Sequence, residues 1–261
     1  MRKIIYLRKS PDWSQIKTID DFAASNCDSR PLLKSWVGDL SQAIDLWNKS
    51  FKIDYFSFRE RIKEIAQGNL RELSGVEFIS KPDMCLIEKQ YPFLLYMIDD
   101  DDLISPNVFD EIQPSIDDEC HYAVWPFGFL RHFMKVTNIY LPIHNIKFVY
   151  SNNCIVTDRG YELLRQNSDP YSFLEDHREV DEIFEKTDSI VKVINYPHSV
   201  YNQTPASATN LWGMLKHKKS IYSLLEGYGK TPIIPHELQW SVPHVERIFR
   251  LISMLVRKTH I

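Results

Sequence analysis

Glycine is scarce, with only 8 in 261 residues. No glycine-rich loop of the kind whose backbone amides cradle phosphate is present, which counts against nucleotidyltransferases and phosphohydrolases that depend on one. Cysteine is scarce as well. Cys27, Cys85, Cys120 and Cys154 stand far apart with no Cys-x-x-Cys pair, which argues against a zinc knuckle. Such scattered thiols fit a reducing cytoplasm, where they serve as small core hydrophobes. A basic excess is missing: 31 Lys and Arg stand against 35 Asp and Glu, a formal net charge of −4. That balance disfavours a general nucleic-acid binder. No apolar run reaches the roughly 18 residues of a membrane span. The apolar run at residues 4–7 is too short for a secretory signal, and neither repeats nor low-complexity segments occur. The expectation is a cytoplasmic protein without nucleic acid as a partner.

What is present is an ordinary globular profile, 44% hydrophobic and 25% charged. The length suits one large α/β domain, or one domain with an appendage. Aromatic residues make up 13% of the chain. They can stack on sugars and bases or simply fill a core. A strand is predicted at 4–7, ending at Arg8. Helical spacing follows over 38–48. Another helix is predicted over 57–67, opened by a Ser57–Glu60 capping box and closed by Gly68, with Phe58, Ile62, Ile65 and Ala66 inward. A strand at 75–79 and a helix over 83–90 lead to the most informative stretch of the chain. This alternation favours a parallel α/β sheet.

That stretch is YPFLLYMIDDDDLISP, residues 91–106. Its apolar run from Phe93 to Ile98 reads as a strand buried on both faces. Asp99, Asp100, Asp101 and Asp102 follow, and then Ser105 and Pro106, suited to a helix N-cap and first turn. Four adjacent carboxylates repel one another unless water or a hard cation screens them. The mouth of a buried strand is also where open α/β sheets bind ligands. Further on, a strand is expected at 121–127 with Tyr122, Val124 and Phe127 on one face. A hairpin over 145–157 follows, its Thr157 capping a helix to about 166. The next helix carries Val180, Ile183 and Phe184 inward and the acids Glu175 and Asp176 at its start. A strand at 190–194 precedes His198, and a small-residue loop spans 200–213. The last helix, from Pro243, pairs an apolar stripe with a basic face.

Apolar strand, then Asp-x-Asp, then apolar-apolar-x-Pro resembles the metal-binding signature of nucleotide-sugar glycosyltransferases of the GT-A fold. The resemblance is specific over about residues 93–106. It implies an α/β, Rossmann-like mixed sheet flanked by helices, and a Mn²⁺ or Mg²⁺ ion that holds the diphosphate of a nucleotide sugar, a UDP-sugar first. Asp99, Asp101 and Asp102 become the metal ligands, with a register on Asp100 and Asp102 as the alternative. His198 is the third type of ligand, with His177 as competitor. Arg8, Asp100 and Lys216 fall to the donor. Asp176 is the expected base for the acceptor hydroxyl, Glu175 the second choice and Asp181 the third. Trp125, Phe127 and Phe129 either floor an acceptor site or pack the core.

The implied organisation is one domain: a donor half over 1–115, an acceptor half over 116–230 and a helical extension over 231–261. The implied partner is a glycan acceptor of the capsule or lipopolysaccharide kind. If that acceptor is lipid-linked, the basic face of the last helix can touch the inner membrane. The alternatives are a metal-dependent nucleotidyltransferase or phosphohydrolase, and a non-catalytic sugar-binding protein on a degenerate transferase fold.

Overall fold

The structure is a computed structural model. It describes residues 1–8, 42–80, 83–87, 92–131, 149, 152–169, 171–204, 206–207 and 234–259. The strands are β1 (Arg2–Arg8), β2 (Val76–Ile79), β3 (Phe93–Asp99), β4 (Leu103–Ile104), β5 (Tyr122–Val124), β6 (Gly128–Arg131), β7 (Cys154–Thr157), β8 (Val191–Val193) and β9 (Ser199–Gln203). The helices are α1 (42–51), α2 (Tyr55–Leu70), α3 (Met84–Ile87), α4 (Val108–Ile112), α5 (Asp158–Asn167), α6 (His177–Lys186) and α7 (Val242–Thr259). The chain falls into two compact units. One holds Met1–Lys9, Asn69–Gly128 and Pro142–Tyr201, and the other holds Ser10–Gly68, Phe129–Leu141 and Asn202–Ile261.

The first unit is built on a six-stranded mixed sheet in the order β2-β1-β3-β7-β5-β8. Its fold is α/β. β1 runs parallel to β2 and β3, and β5 runs parallel to β8. β7 lies antiparallel between β3 and β5, so the sheet is mixed, as the resemblance implies, where helix–strand alternation alone favours a parallel one. The carboxyl ends of β1, β3, β5 and β8 therefore share one edge.

β3 is interior from Phe93 to Ile98, as its unbroken apolar run predicts. Alternation sends Phe93, Leu95 and Met97 to one face, with Ile4 and Tyr6 of β1, Tyr122 and Val124 of β5, and Tyr161, Leu164, Val180 and Phe184 of α5 and α6. Leu94, Tyr96 and Ile98 go to the other face, with Ile5, Ala123, Trp125, Ile155 and the α4 residues Val108, Phe109 and Ile112. Each large apolar side chain buried this way contributes about 1.5–3 kcal/mol, so β3 alone anchors both layers.

Local chemistry sets the helix ends. Thr157 caps α5 as expected, its hydroxyl oxygen accepting from the Gly160 N–H at 3.1 Å. α2 begins earlier than its capping box suggests, because the Asp54 carboxylate accepts from the Ser57 N–H at 2.8 Å. It also runs through Gly68 to Leu70, where buried Asn69 has a tertiary task described below. Phe58, Ile62 and Ala66 are buried there, while Ile65 is only half-buried. Ser105 and Pro106 do not open a helix at once. Leu103 and Ile104 pair antiparallel with β9, and α4 starts after Asn107. Residues 200–203, expected in a loop, supply that partner strand. The first strand of the 145–157 hairpin lies outside the described residues, apart from Val149.

In the second unit, Trp47 of α1 packs its ring on Phe51, Tyr55 and Phe58, with centroids 4.2, 5.8 and 5.6 Å away. The inward stripe of α7 is Val245, Ile248, Ile252 and Leu255, all buried. Among the described residues no helix is long and apolar enough to cross a membrane.

Gly160 sits where α5 meets the backbone before β5, and an added Cβ would strike the carbonyl oxygen of His121. A backbone carbonyl cannot turn aside as a side chain can. Gly160→Ala is expected to cost about 2–3 kcal/mol through forced displacement, read as a lower urea midpoint with an unchanged slope. An unchanged midpoint would mean that α5 does not pack this closely.

Candidate functional site

β1 and β3 end together, with Arg8 in register with Asp99. Arg8 lies on the same face as Tyr6, two residues earlier, and points toward the layer of α6. A guanidinium is costly to bury unless charge and hydrogen bonds compensate it. Arg8 is 2% exposed. Its Nε donates to the Leu174 carbonyl at 2.8 Å, and its Nη1 lies 3.8 Å from Asp99 Oδ1. One guanidinium thus ties the acidic stretch to the segment just before α6.

The four aspartates turn back on themselves, the Asp102 N–H donating to the Asp99 carbonyl at 3.3 Å. The turn divides them by environment. Asp100 and Asp102 are buried, while Asp99 and Asp101 are half-exposed. Immediately afterwards β4 is clamped from two sides. Asn69 accepts from the Ile104 N–H at 2.8 Å and donates to the Ile104 carbonyl at 3.0 Å. The Ser105 N–H donates to the His198 carbonyl at 2.7 Å.

The two carboxylates before α6 have different roles. Asp176 is the helix N-cap. One of its oxygens takes the Arg178 N–H at 3.0 Å, and both take the Arg178 guanidinium, at 3.2 and 3.1 Å. Burial opposes its charge, but the bonds from the Arg178 side chain and backbone outweigh that and hold its carboxyl below the usual range. An acid so stabilised as an anion is a weaker proton acceptor. Glu175, half-buried, accepts a hydrogen bond from the Tyr6 hydroxyl instead. Burial first, and that bond second, push the Tyr6 phenol well above its ordinary value, so Tyr6 stays a donor. Asp181 is engaged elsewhere, accepting from the Val149 N–H at 2.8 Å, and burial raises its pKa.

On the opposite face of the sheet lies a buried polar group. Tyr96 donates to the Asn152 carbonyl at 2.5 Å, and Trp125 Nε1 donates to Ser199 Oγ at 2.9 Å. Asn153 Nδ2 donates to the Trp125 carbonyl at 3.2 Å. Burial, and then the charge of Asp102, raise the Tyr96 phenol well above its usual value, so the acidic turn reaches this face too. His198 stands edge-on to Trp125 with ring centroids 5.7 Å apart. Its Nδ1 is 3.6 Å from Glu111 Oε2, too long for a hydrogen bond. Burial pulls its pKa down to about 4, so the ring is neutral at pH 7 and the pair is not ionic.

Asp99–Asp102, Arg8, Glu175 and His198 all belong to the first unit and to the carboxyl edge of its sheet or the segments beside it. Among the described residues, no three His, Cys, Asp or Glu side chains converge as a ready-made metal cage. Lys216 and the 208–213 part of the expected loop lie outside the described residues, as does the side chain of Phe129. Trp125 and Phe127 are core residues, 0% and 1% exposed. An open cavity of about 310 Å³, lined by His121, Asp158, Arg159 and Glu162, sits at the other end of the sheet, beyond the start of β3. Sequence reading missed Tyr6 and Asn69. A polar tip on an otherwise apolar strand and an Asn next to a helix-ending leucine were the only available signals.

No protein-family model matches this sequence, and no curated protein matches it either.

Because His198 is buried neutral, the unfolded chain takes up its proton first. The stability linked to it is complete above pH 6.5 and drains as pH falls toward 4. Between pH 7.5 and 4.5, wild type is expected to lose about 2–3 kcal/mol more unfolding free energy than His198→Gln, measured by urea titration at each pH. Identical losses would place the imidazole in water.

Proposed function

We propose that this chain is a metal-dependent glycosyltransferase of the GT-A kind, moving a sugar from a nucleotide-sugar donor to a glycan hydroxyl. The observation that carries this reading is the way β3 ends. An interior strand opens at the carboxyl edge of an α/β sheet into a turn of four aspartates, and a buried arginine joins that turn to a second carboxylate segment.

Carboxylate oxygens are the hard donors that Mg²⁺ and Mn²⁺ prefer. Mg²⁺ in phosphate-handling sites is held by one or two carboxylates, and substrate phosphates complete its shell. A turn without a full protein cage is compatible with that arrangement. Asp99, Asp101 and Asp102 are the proposed holders, with His198 as a further neutral donor. A divalent cation at this turn supplies charge neutralisation for the departing nucleoside diphosphate. Arg8 is tied to Leu174 and Asp99, so its proposed part is to orient the first carboxylate and to add positive potential beside the phosphates. For the acceptor proton, the bonding of Asp176 to Arg178 favours Glu175, whose carboxylate is half-exposed.

Thermal melting with UDP-, GDP-, CMP- and dTDP-sugars, each with and without Mn²⁺, tests the reading. A ligand that binds only the folded state raises the melting temperature by mass action. One nucleotide family is expected to stabilise the chain only when Mn²⁺ is present, and Asp101→Ala is expected to abolish that shift. Stabilisation by nucleoside triphosphates alone would favour a nucleotidyltransferase. No shift with any nucleotide would end the transferase reading.

A further inference from the structure

We propose that Tyr6 is a positioning residue, which together with Arg8 sets the place of Glu175 relative to the acidic turn. This inference rests on the glycosyl-transfer reading above and adds to it a residue outside both acidic motifs. Three observations carry it. First, Tyr6 and Arg8 are alternate residues of β1 and project from the same face, so one strand delivers both groups. Second, they grip adjacent points of one segment: the Arg8 Nε holds the Leu174 carbonyl at 2.8 Å and the Tyr6 hydroxyl donates to the Glu175 carboxylate. Third, the same guanidinium reaches Asp99 at 3.8 Å. Glu175 is thereby referenced to the turn through a rigid interior strand rather than through the intervening chain.

The segment is a single 3₁₀ turn, Ser172–Leu174, entered through Tyr171 at a φ of 66°, and its backbone is pinned from below by Ser172, whose Oγ donates to the Glu179 carboxylate at 2.6 Å. Phe173 and Leu174 anchor the backbone in the core. The Tyr6 hydroxyl restricts the Glu175 side chain by engaging one carboxylate oxygen. The other oxygen remains for an acceptor hydroxyl, whose proton passes to Glu175 as its oxygen bonds to the sugar carbon and the nucleoside diphosphate leaves with the bonding pair. A general base contributes only when it lies within hydrogen-bond reach of the proton it takes, so orientation of this carboxylate controls turnover and not donor affinity.

The test measures Mn²⁺-dependent hydrolysis of UDP-, GDP-, CMP- and dTDP-sugars, with water as acceptor, by wild type, Tyr6→Phe, Glu175→Gln and the double variant. Phenylalanine keeps the ring packing and removes only the hydroxyl. Tyr6→Phe is expected to lower kcat about tenfold with KM for the donor unchanged. In the Glu175→Gln background the same change is expected to shift kcat less than about twofold, because two residues that act through one another are not additive. Equal effects in both backgrounds, or a KM change without a kcat change, would overturn the positioning role while leaving glycosyl transfer intact. Absence of hydrolysis of every donor by wild type would remove the positioning role and the parent reading together. A Tyr6→Phe chain too unstable to assay is replaced by Arg8→Lys. Because Arg8 also reaches Asp99, that variant is expected to lower kcat in both backgrounds, but by a clearly larger factor with Glu175 present, and an equal factor in both would again overturn the role.

Discussion

A buried guanidinium ties together the carboxyl ends of β1 and β3 and the segment before α6. Arg8 could not remain in the interior without partners, and its partners come from two distant parts of the chain, Asp99 and the Leu174 carbonyl. Removing one member of such a pair leaves an uncompensated charge, which typically costs several kcal/mol. The geometry of β1, β3 and the approach to α6 is therefore linked. The β-sheet register puts Arg8 opposite Asp99, and the alternation of β1 puts Tyr6 on the same side.

Other interactions stiffen the same edge. Asn69 satisfies both backbone groups of Ile104, and the Ser105 N–H meets the His198 carbonyl. Trp125, Ser199, Tyr96 and Asn152 form a hydrogen-bonded set behind them. Catalytic groups act best when their supports are fixed before the substrate arrives. Backbone bonds help to hold the acidic turn and the strand after it, from the Asp102 N–H to the Asp99 carbonyl and from the Ser105 N–H to the His198 carbonyl. Asp176, the N-cap of α6, is committed to Arg178, whereas the neighbouring Glu175 accepts from Tyr6.

Much of this was legible in the residues themselves. The run from Phe93 to Ile98, short, apolar throughout and bounded by turn residues, reads as a strand in the middle of a sheet. Thr157 and the Val180, Ile183, Phe184 stripe carry their helices in purely local signals. What escaped depended on partners far along the chain. Ser105 and Pro106 have the chemistry of a helix start, yet β9 recruits the preceding Leu103 and Ile104 into a strand. The same pairing draws Val200, expected in a polar loop, into a strand. Ser57 resembles a cap, but Asp54 is a better acceptor three residues earlier. The antiparallel insertion of β7 is a matter of strand order, which periodicity does not encode. At the site, the aspartates announce themselves, whereas Tyr6 is ordinary until the fold places Glu175 against it.

The account turns on whether the aspartate turn grips a cation that carries a nucleotide. Crystals grown with UDP and Mn²⁺, with diffraction collected at the manganese absorption edge, address this directly. The account predicts an anomalous peak within coordination distance of a carboxylate oxygen of Asp99, Asp101 or Asp102, with the diphosphate on its far side and Arg8 still bound to Leu174. Manganese found only elsewhere, with those carboxylates turned away from the nucleotide, would contradict it.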